Sequence, residues 1–252
     1  GLSVQAQDEE PLRFVKKELS YQNVLPRELK DSLQVKDLSR IWTSTPNWAV
    51  YGFIGDDYQR LRIKLIKVDK DPLRPDVYHV QGKTMFNETI RDLYGELTIT
   101  NIRSYDTTGY FGIDALYRDS SIAGRFVSCG TYALKEESNQ PGGGVLTGTF
   151  ASYFYITSTG EVRYDNIDDM ADGYCNDQFV GQWSSYDART RLRCNWGDRR
   201  IPFSQALDGG AGEFSPEDKY LPNGWQSYRD AYVGNSPNKA GAIAQEQREW
   251  WK

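Results

Sequence analysis

A single histidine, His79, occurs among the 252 residues. That excludes mechanisms built on a histidine pair and any His-rich metal site. The three cysteines, Cys129, Cys175 and Cys194, show no Cys-x-x-Cys spacing, so a zinc site is not expected. Basic charge is not in excess. The 30 Lys and Arg stand against 35 Asp and Glu, a formal net charge of −5, and they are spread among the acids. Without a basic stripe there is nothing to hold a phosphate backbone, and nucleic acid is not an expected partner. No stretch approaches the ~18 apolar residues of a membrane-spanning helix. Pro141-Gly-Gly-Gly-Val-Leu-Thr-Gly148 lacks the Gly-Lys-Ser/Thr end of a phosphate loop, and no Gly-x-Ser-x-Gly elbow is present. No cofactor is therefore expected.

What the chain has in quantity is aromatic side chains, 17 Tyr, 10 Phe and 7 Trp, within alternating segments. In Leu93-Tyr-Gly-Glu-Leu-Thr-Ile-Thr-Asn-Ile102, Leu93, Leu97 and Ile99 fall on one face and Glu96, Thr98 and Thr100 on the other, the signature of a strand with one dry face. In Tyr58–Val68 the same alternation turns Leu61, Ile63 and Leu65 inward and Arg60, Arg62 and Lys64 to water. Further strands are predicted from Trp48 to Ile54 and near 77–86, 92–103, 110–118, 122–134, 144–157 and 161–165, separated by Pro- and Gly-rich turns. Gln178–Trp183 and Arg191–Trp196 read as hairpin arms. The fold class is all-β: an antiparallel meander closing into a barrel or curled sheet of about eight to ten strands. Glycines that precede alternating runs, such as Gly95, Gly148 and Gly181, suit bends in such a sheet.

The chain divides into a polar, disordered segment over 1–12, a β domain over 13–196 that includes an N-terminal arm, and an extended tail over 197–252 packed on it. Pro26–Leu33 reads as a short helix with proline in its first turn, and Lys239–Trp251 as a short terminal helix. Cys129 reads as a buried filler. Cys175 and Cys194 flank the predicted hairpin and are candidates for a disulfide in an oxidising compartment, with free thiols as the alternative. Val4-Gln-Ala6 is similar to the small-residue end of a secretory signal.

Acidic residues Asp165, Asp168, Asp169, Asp172 and Asp177 cluster, but Met170 and Phe179 stand where an EF-hand from Asp168 needs oxygen ligands. A solvated loop is expected, with an irregular calcium site as the alternative. A glycosidase needs two facing carboxylates, for which Asp165, Asp208 and Glu213 are the candidates, and Asp208–Glu213 reads better as a turn. His79 reads as a surface or satisfied histidine. For ligand binding the candidates are the aromatics Tyr153, Tyr155, Trp183 and Trp196, with core packing as the alternative.

The meander followed by Gln178-Phe-Val-Gly-Gln-Trp-Ser-Ser-Tyr186 resembles the calycins, the group of lipocalin-like barrels, whose Gly-x-Trp signature Gly181-Gln-Trp183 echoes late in the chain. The tail Cys194-Asn-Trp-Gly-Asp-Arg-Arg-Ile-Pro-Phe203, continuing through Gly210–Pro216 to Trp225, is similar to uncharacterised secreted or lipid-anchored Bacteroidetes proteins. These resemblances imply a barrel and an extracytoplasmic setting, in the periplasm or at the cell surface, with a preceding lipid anchor left open. The expected function is a non-enzymatic binding module for a sugar, lipid or flat organic molecule, favoured by a wide lumen. The alternatives are a filled barrel that binds a protein or surface glycan through exposed aromatics such as Trp225 and Trp251, and a carboxylate-dependent hydrolase.

Overall fold

The structure, a computed structural model, describes residues 4–106, 121–139 and 142–252. Among these, ten strands form one antiparallel sheet: β1 (Val24–Glu28), β2 (Val50–Ile54), β3 (Gln59–Lys70), β4 (Val77–Phe86), β5 (Thr89–Tyr105), β6 (Ile122–Glu136), β7 (Gly144–Thr157), β8 (Val162–Tyr164), β9 (Asn176–Ser185) and β10 (Arg191–Asp198). Pairing follows chain order from β2 to β7, then β9 and β10. The sheet curls until β10 meets β2, from Cys194 opposite Ile54 to Asp198 opposite Val50, which closes a ring of eight strands. β1 pairs with β5 and β8 with β7, outside that ring. The strand expected near 110–118 lies outside the described residues.

Alternation works as expected on the inner face. Leu61, Ile63, Leu65, Leu93, Leu97 and Ile99 are buried in one cluster with Phe150, Phe179 and Trp196. The interior is filled with rings. Trp196 stacks on Phe179 with centroids 4.6 Å apart and planes at 8°. Tyr132 sits edge-on to both, at 4.9 and 5.5 Å. Trp42, in a short 3-10 turn (Ile41–Thr43), packs against Tyr78 and Phe150 and donates its Nε1 to Ser152 Oγ (2.9 Å). Gly148 and Gly181 face each other in register, and a Cβ on either would run into the Tyr132 hydroxyl. The pair makes room for that ring.

The outer face is covered on two sides, which alternation cannot foresee. Helix α1 (Val4–Leu19) lays Phe14 against Val127, Cys129, Ala151 and Val180. Glu10, 3% exposed, accepts from Arg193 Nη2 (3.0 Å) and Asn195 Nδ2 (2.8 Å). Helix is described from Val4, within the stretch 1–12 expected to be disordered, and Glu10 finds its partners on the sheet. The helix expected over Pro26–Leu33 is also corrected. Pro26 lies in β1, at the sheet edge where its missing N–H costs nothing, and only α2 (Lys30–Leu33) is helical.

The C-terminal residues fold onto β2 and β3 through short turns, α3 (Gln226–Tyr232) and α4 (Lys239–Gln247). Ile201, Leu207, Phe214, Trp225 and Tyr228 bury against Tyr51, Phe53 and Tyr58. Trp225, expected to be exposed, is fully buried, and its Nε1 donates to the Tyr58 carbonyl (2.8 Å). Arg60 and Arg62 do not face water either. Arg60 makes a two-pronged bond to the Glu246 carboxylate (2.8 and 2.5 Å), and Arg62 adds a third at 2.9 Å. Burial pushes the Glu246 carboxyl up, but the Arg60 charge and hydrogen bonds, then Arg62 and Ser227, outweigh it and hold it at about 2.

Cys175 and Cys194 are free thiols, and the pairing considered for them is not formed. They serve opposite faces of the sheet. Cys194 packs inside the ring, whereas Cys175 feels the charges of Glu18 and Lys17 on α1, outside it. Cys129 is fully buried, as its mid-strand position suggested. No described helix is long and apolar enough to cross a membrane.

Candidate functional site

At one end of the ring, β9 begins and β10 ends. Cys194, Trp196 and Asp198 share the inward face of β10, and Asp177 precedes Phe179 on the inward face of β9. Two carboxylates thereby enter the ring together. Asp198, 3% exposed, accepts at Oδ2 from Thr45 Oγ1 (2.5 Å) and from the Tyr164 hydroxyl (2.8 Å). Asp177, 5% exposed, lies against Ser152, and its Oδ1 has no hydrogen-bond partner.

The preceding residue positions Asp177. Asn176 Oδ1 accepts from the Tyr153 N–H (2.8 Å) and the Asp177 N–H (2.7 Å), and its Nδ2 donates to the Tyr153 carbonyl (2.9 Å). The side chain thus stands in for backbone in the ladder to β7. Asp177 itself takes a φ of 43°, in the left-handed region. Between the two carboxylates, Trp42, Asn47, Phe179 and Trp196 lies a cavity of about 20 Å³, room for one water.

Burial pushes both carboxyls up. For Asp177 the Asp198 charge adds to it, and the Ser152 bond opposes. Asp198 is pushed up to about 7 by burial, against the hydroxyls of Thr45 and Tyr164 and the charges of Arg199 and Lys64. The Tyr164 phenol is driven up by burial and then by the Asp198 and Asp177 charges.

Outside this cavity, a groove of about 440 Å³ runs over Ser44–Pro46, Tyr155, Arg163, Tyr164, Asn166, Asp169, Tyr174 and Arg199. A recess of about 220 Å³ shares Asp169, Tyr174 and Arg199 with it and is also lined by Phe214 and Tyr232. Arg199 lies over the Trp48 ring at 5.0 Å. Thr45 and Tyr164 connect the two spaces, since both line the groove and hydrogen-bond to Asp198.

The four aromatics singled out in the sequence do not converge. Trp196 lines the small cavity, and Tyr155 lines the groove on the outer face of β7. Tyr153 faces α1, where its hydroxyl donates to Glu18 Oε2 (2.9 Å). Trp183 lies at the other end of β9 and donates Nε1 to Glu136 Oε2 (2.9 Å). The acidic cluster is also split. Asp165 and Asp168 pair with Arg125 at 2.6 and 3.0 Å, Asp177 enters the ring, and only Asp169 and Asp172 are exposed. The solvated-loop reading therefore holds for those two alone. Asp208 accepts at Oδ1 from the N–H groups of Gly210 (2.9 Å) and Ser215 (3.0 Å), ordering a turn, and pairs with Arg200 at 2.7 Å. His79 is at the surface beside Asp71, 2.8 Å away.

Asp198, Thr45, Tyr164, Tyr174 and Arg199 were not foreseen. For Asp198 a signal existed: in Cys194-Asn-Trp196-Gly-Asp198 the alternation places an acid on the dry face. Among the described residues no three His, Cys, Asp or Glu side chains converge as metal ligands. No family model matches the chain, and no curated protein or solved structure is significantly similar to it.

Proposed function

We propose that the chain is a non-enzymatic binding module with a filled barrel, which takes a surface glycan in the groove over Tyr155, Tyr164 and Tyr174. The observation that carries this reading is the packed interior. An eight-stranded barrel either fills with side chains or holds one ligand. Here Trp196, Phe179, Phe150, Tyr132 and Trp42 occupy the inside, and the cavity left beside them is about 20 Å³. The reading of a hollow lumen with a small molecule inside therefore yields to one in which recognition is external.

The groove, at about 440 Å³, falls within the usual ~300–1,000 Å³ of small-ligand clefts. Its tyrosines offer flat apolar faces with polar edges, and Arg163, Asn166, Asp169 and Arg199 supply donors and acceptors, the combination that a sugar ring requires. Hydrolysis gains no support from the buried carboxylates, because no sugar ring fits the cavity between them. The extracytoplasmic setting rests on the resemblance of the tail.

A glycan array read with wild type and Tyr155→Ala tests the proposal. Binding of a defined glycan class, weakened about tenfold or more by the substitution, is expected. A silent array, together with a small molecule retained in native mass spectra and lost on unfolding, would return the function to the interior.

A further inference from the structure

We propose that the groove selects an acidic glycan, with a sugar carboxylate held by Arg199 where the groove meets the recess. The inference rests on the glycan reading of the groove and adds the class of sugar. Three arginines line the two spaces: Arg163, Arg199 and Arg200. Two are already engaged. Arg163 pairs with Glu161 at 2.6 Å. Arg200 pairs with Asp208 at 2.7 Å and donates to the carbonyls of Gly210 (2.7 Å) and Gly212 (3.0 Å). Arg199 is half-buried and lines both spaces, yet among the described residues its guanidinium forms no ion pair and no hydrogen bond. A guanidinium is always charged and carries only donors, so it calls for an anionic acceptor.

The preceding carboxylate does not serve as that acceptor. Asp198 points into the ring, where its Oδ2 accepts from Thr45 and Tyr164, and Arg199 leaves the other side of the chain to lie over Trp48. The two feel each other's charge without pairing. The acids on the spaces themselves are exposed: Asp169 where groove and recess meet, and Asp172 and Glu213 on the recess. Water and salt screen them. They oppose a densely charged polymer more than one isolated carboxylate.

Arg199 is also held in place. Its backbone takes a φ of 65°, in the left-handed region, and its N–H donates to the Ala49 carbonyl (2.8 Å). Its guanidinium lies over the Trp48 ring at 5.0 Å, and Trp48 in turn packs on Tyr232 at 6.0 Å. A guanidinium seated on a ring keeps its in-plane N–H groups to offer, and that edge matches a carboxylate through two parallel hydrogen bonds. A side chain already positioned loses little freedom when it binds. A hexuronate carries its carboxylate at the edge of the sugar ring. The ring faces stay free for Tyr155, Tyr164 and Tyr174 while the edge meets Arg199.

The test uses matched sugars. The full chain is read on an array in which each hexuronate-bearing glycan stands beside its carboxyl-reduced form and a sulfated counterpart. A hexuronate glycan is expected to bind about tenfold or more tighter than its reduced form, tighter than the sulfated one, and more weakly as salt rises. Arg199→Gln should erase the difference between acidic and reduced forms, with its folding checked by thermal unfolding. If that variant does not fold, wild type still decides through the reduced form and the salt response. Equal binding of acidic and reduced forms by wild type would overturn the inference and leave the glycan reading standing. So would a folded Arg199→Gln that keeps the preference, or sulfated glycans bound best. An array silent throughout would remove both.

Discussion

Tyr132 is accommodated by the absence of two side chains. Gly148 and Gly181 oppose each other across β7 and β9, and a methyl group at position 181 would meet the Thr147 carbonyl as well as the Tyr132 hydroxyl. One obstacle is backbone and the other is the end of a ring already wedged beside Phe179 and Trp196. Gly181→Ala should therefore cost about 1–3 kcal/mol, read as a lower urea midpoint at unchanged m-value. A larger m-value change would mean that the ring itself had opened. The Gly-x-Trp run containing Gly181 was visible in the sequence, but its use was not. Only the strand register reveals that Gly148 lies opposite and that a tyrosine from β6 fills the gap.

At the scale of elements, the Arg60–Glu246 contact fastens α4 to β3. Removing the carboxylate leaves Arg60, 8% exposed, without its counter-charge. Glu246→Ala should cost about 3–5 kcal/mol and raise hydrogen exchange in α3 and α4 before it does so in the ring. Equal loss of protection everywhere would sink this assignment. The same contact marks the limit of what sequence could tell. Alternation placed Leu61 and Ile63 inside correctly, and Val77–Phe86 and Gly144–Thr157 came out as strands because proline or glycine punctuates them. For Arg60 and Arg62 the pattern fixed only which face they occupy. Whether that face meets water or α4 depends on residues nearly two hundred positions later. Helix α1 escaped for a related reason: the partners of Phe14 and Glu10 lie on β strands remote in sequence. The buried carboxylates of the candidate site were half legible, Asp198 through alternation and Asp177 only as one member of an acidic run.

At the scale of the molecule, two carboxyls shape the pH response in opposite directions. Glu246 is held at about 2, below the ordinary 4.5, so its contribution is present above the unfolded value and is lost as pH falls towards 2. Asp198 is raised from 3.8 to about 7, so its contribution is complete below the unfolded value and is lost as pH rises through neutrality. The protein should accordingly be more stable at about pH 5 than at about pH 8, and Asp198→Asn should flatten that difference in calorimetric scans. Equal stability at both values in wild type would contradict the raised carboxyl. The closure of β10 onto β2 carries a further consequence, for the order of events on the ribosome. Once Ile54 has emerged, one edge of β2 must wait for roughly 140 residues before Cys194 can meet it. At ordinary translation rates that is on the order of 7–28 s. Throughout that interval the nascent chain carries a strand with one unpaired edge, bearing Tyr51 and Phe53, whose covering residues, from Ile201 to Tyr228, are made later still.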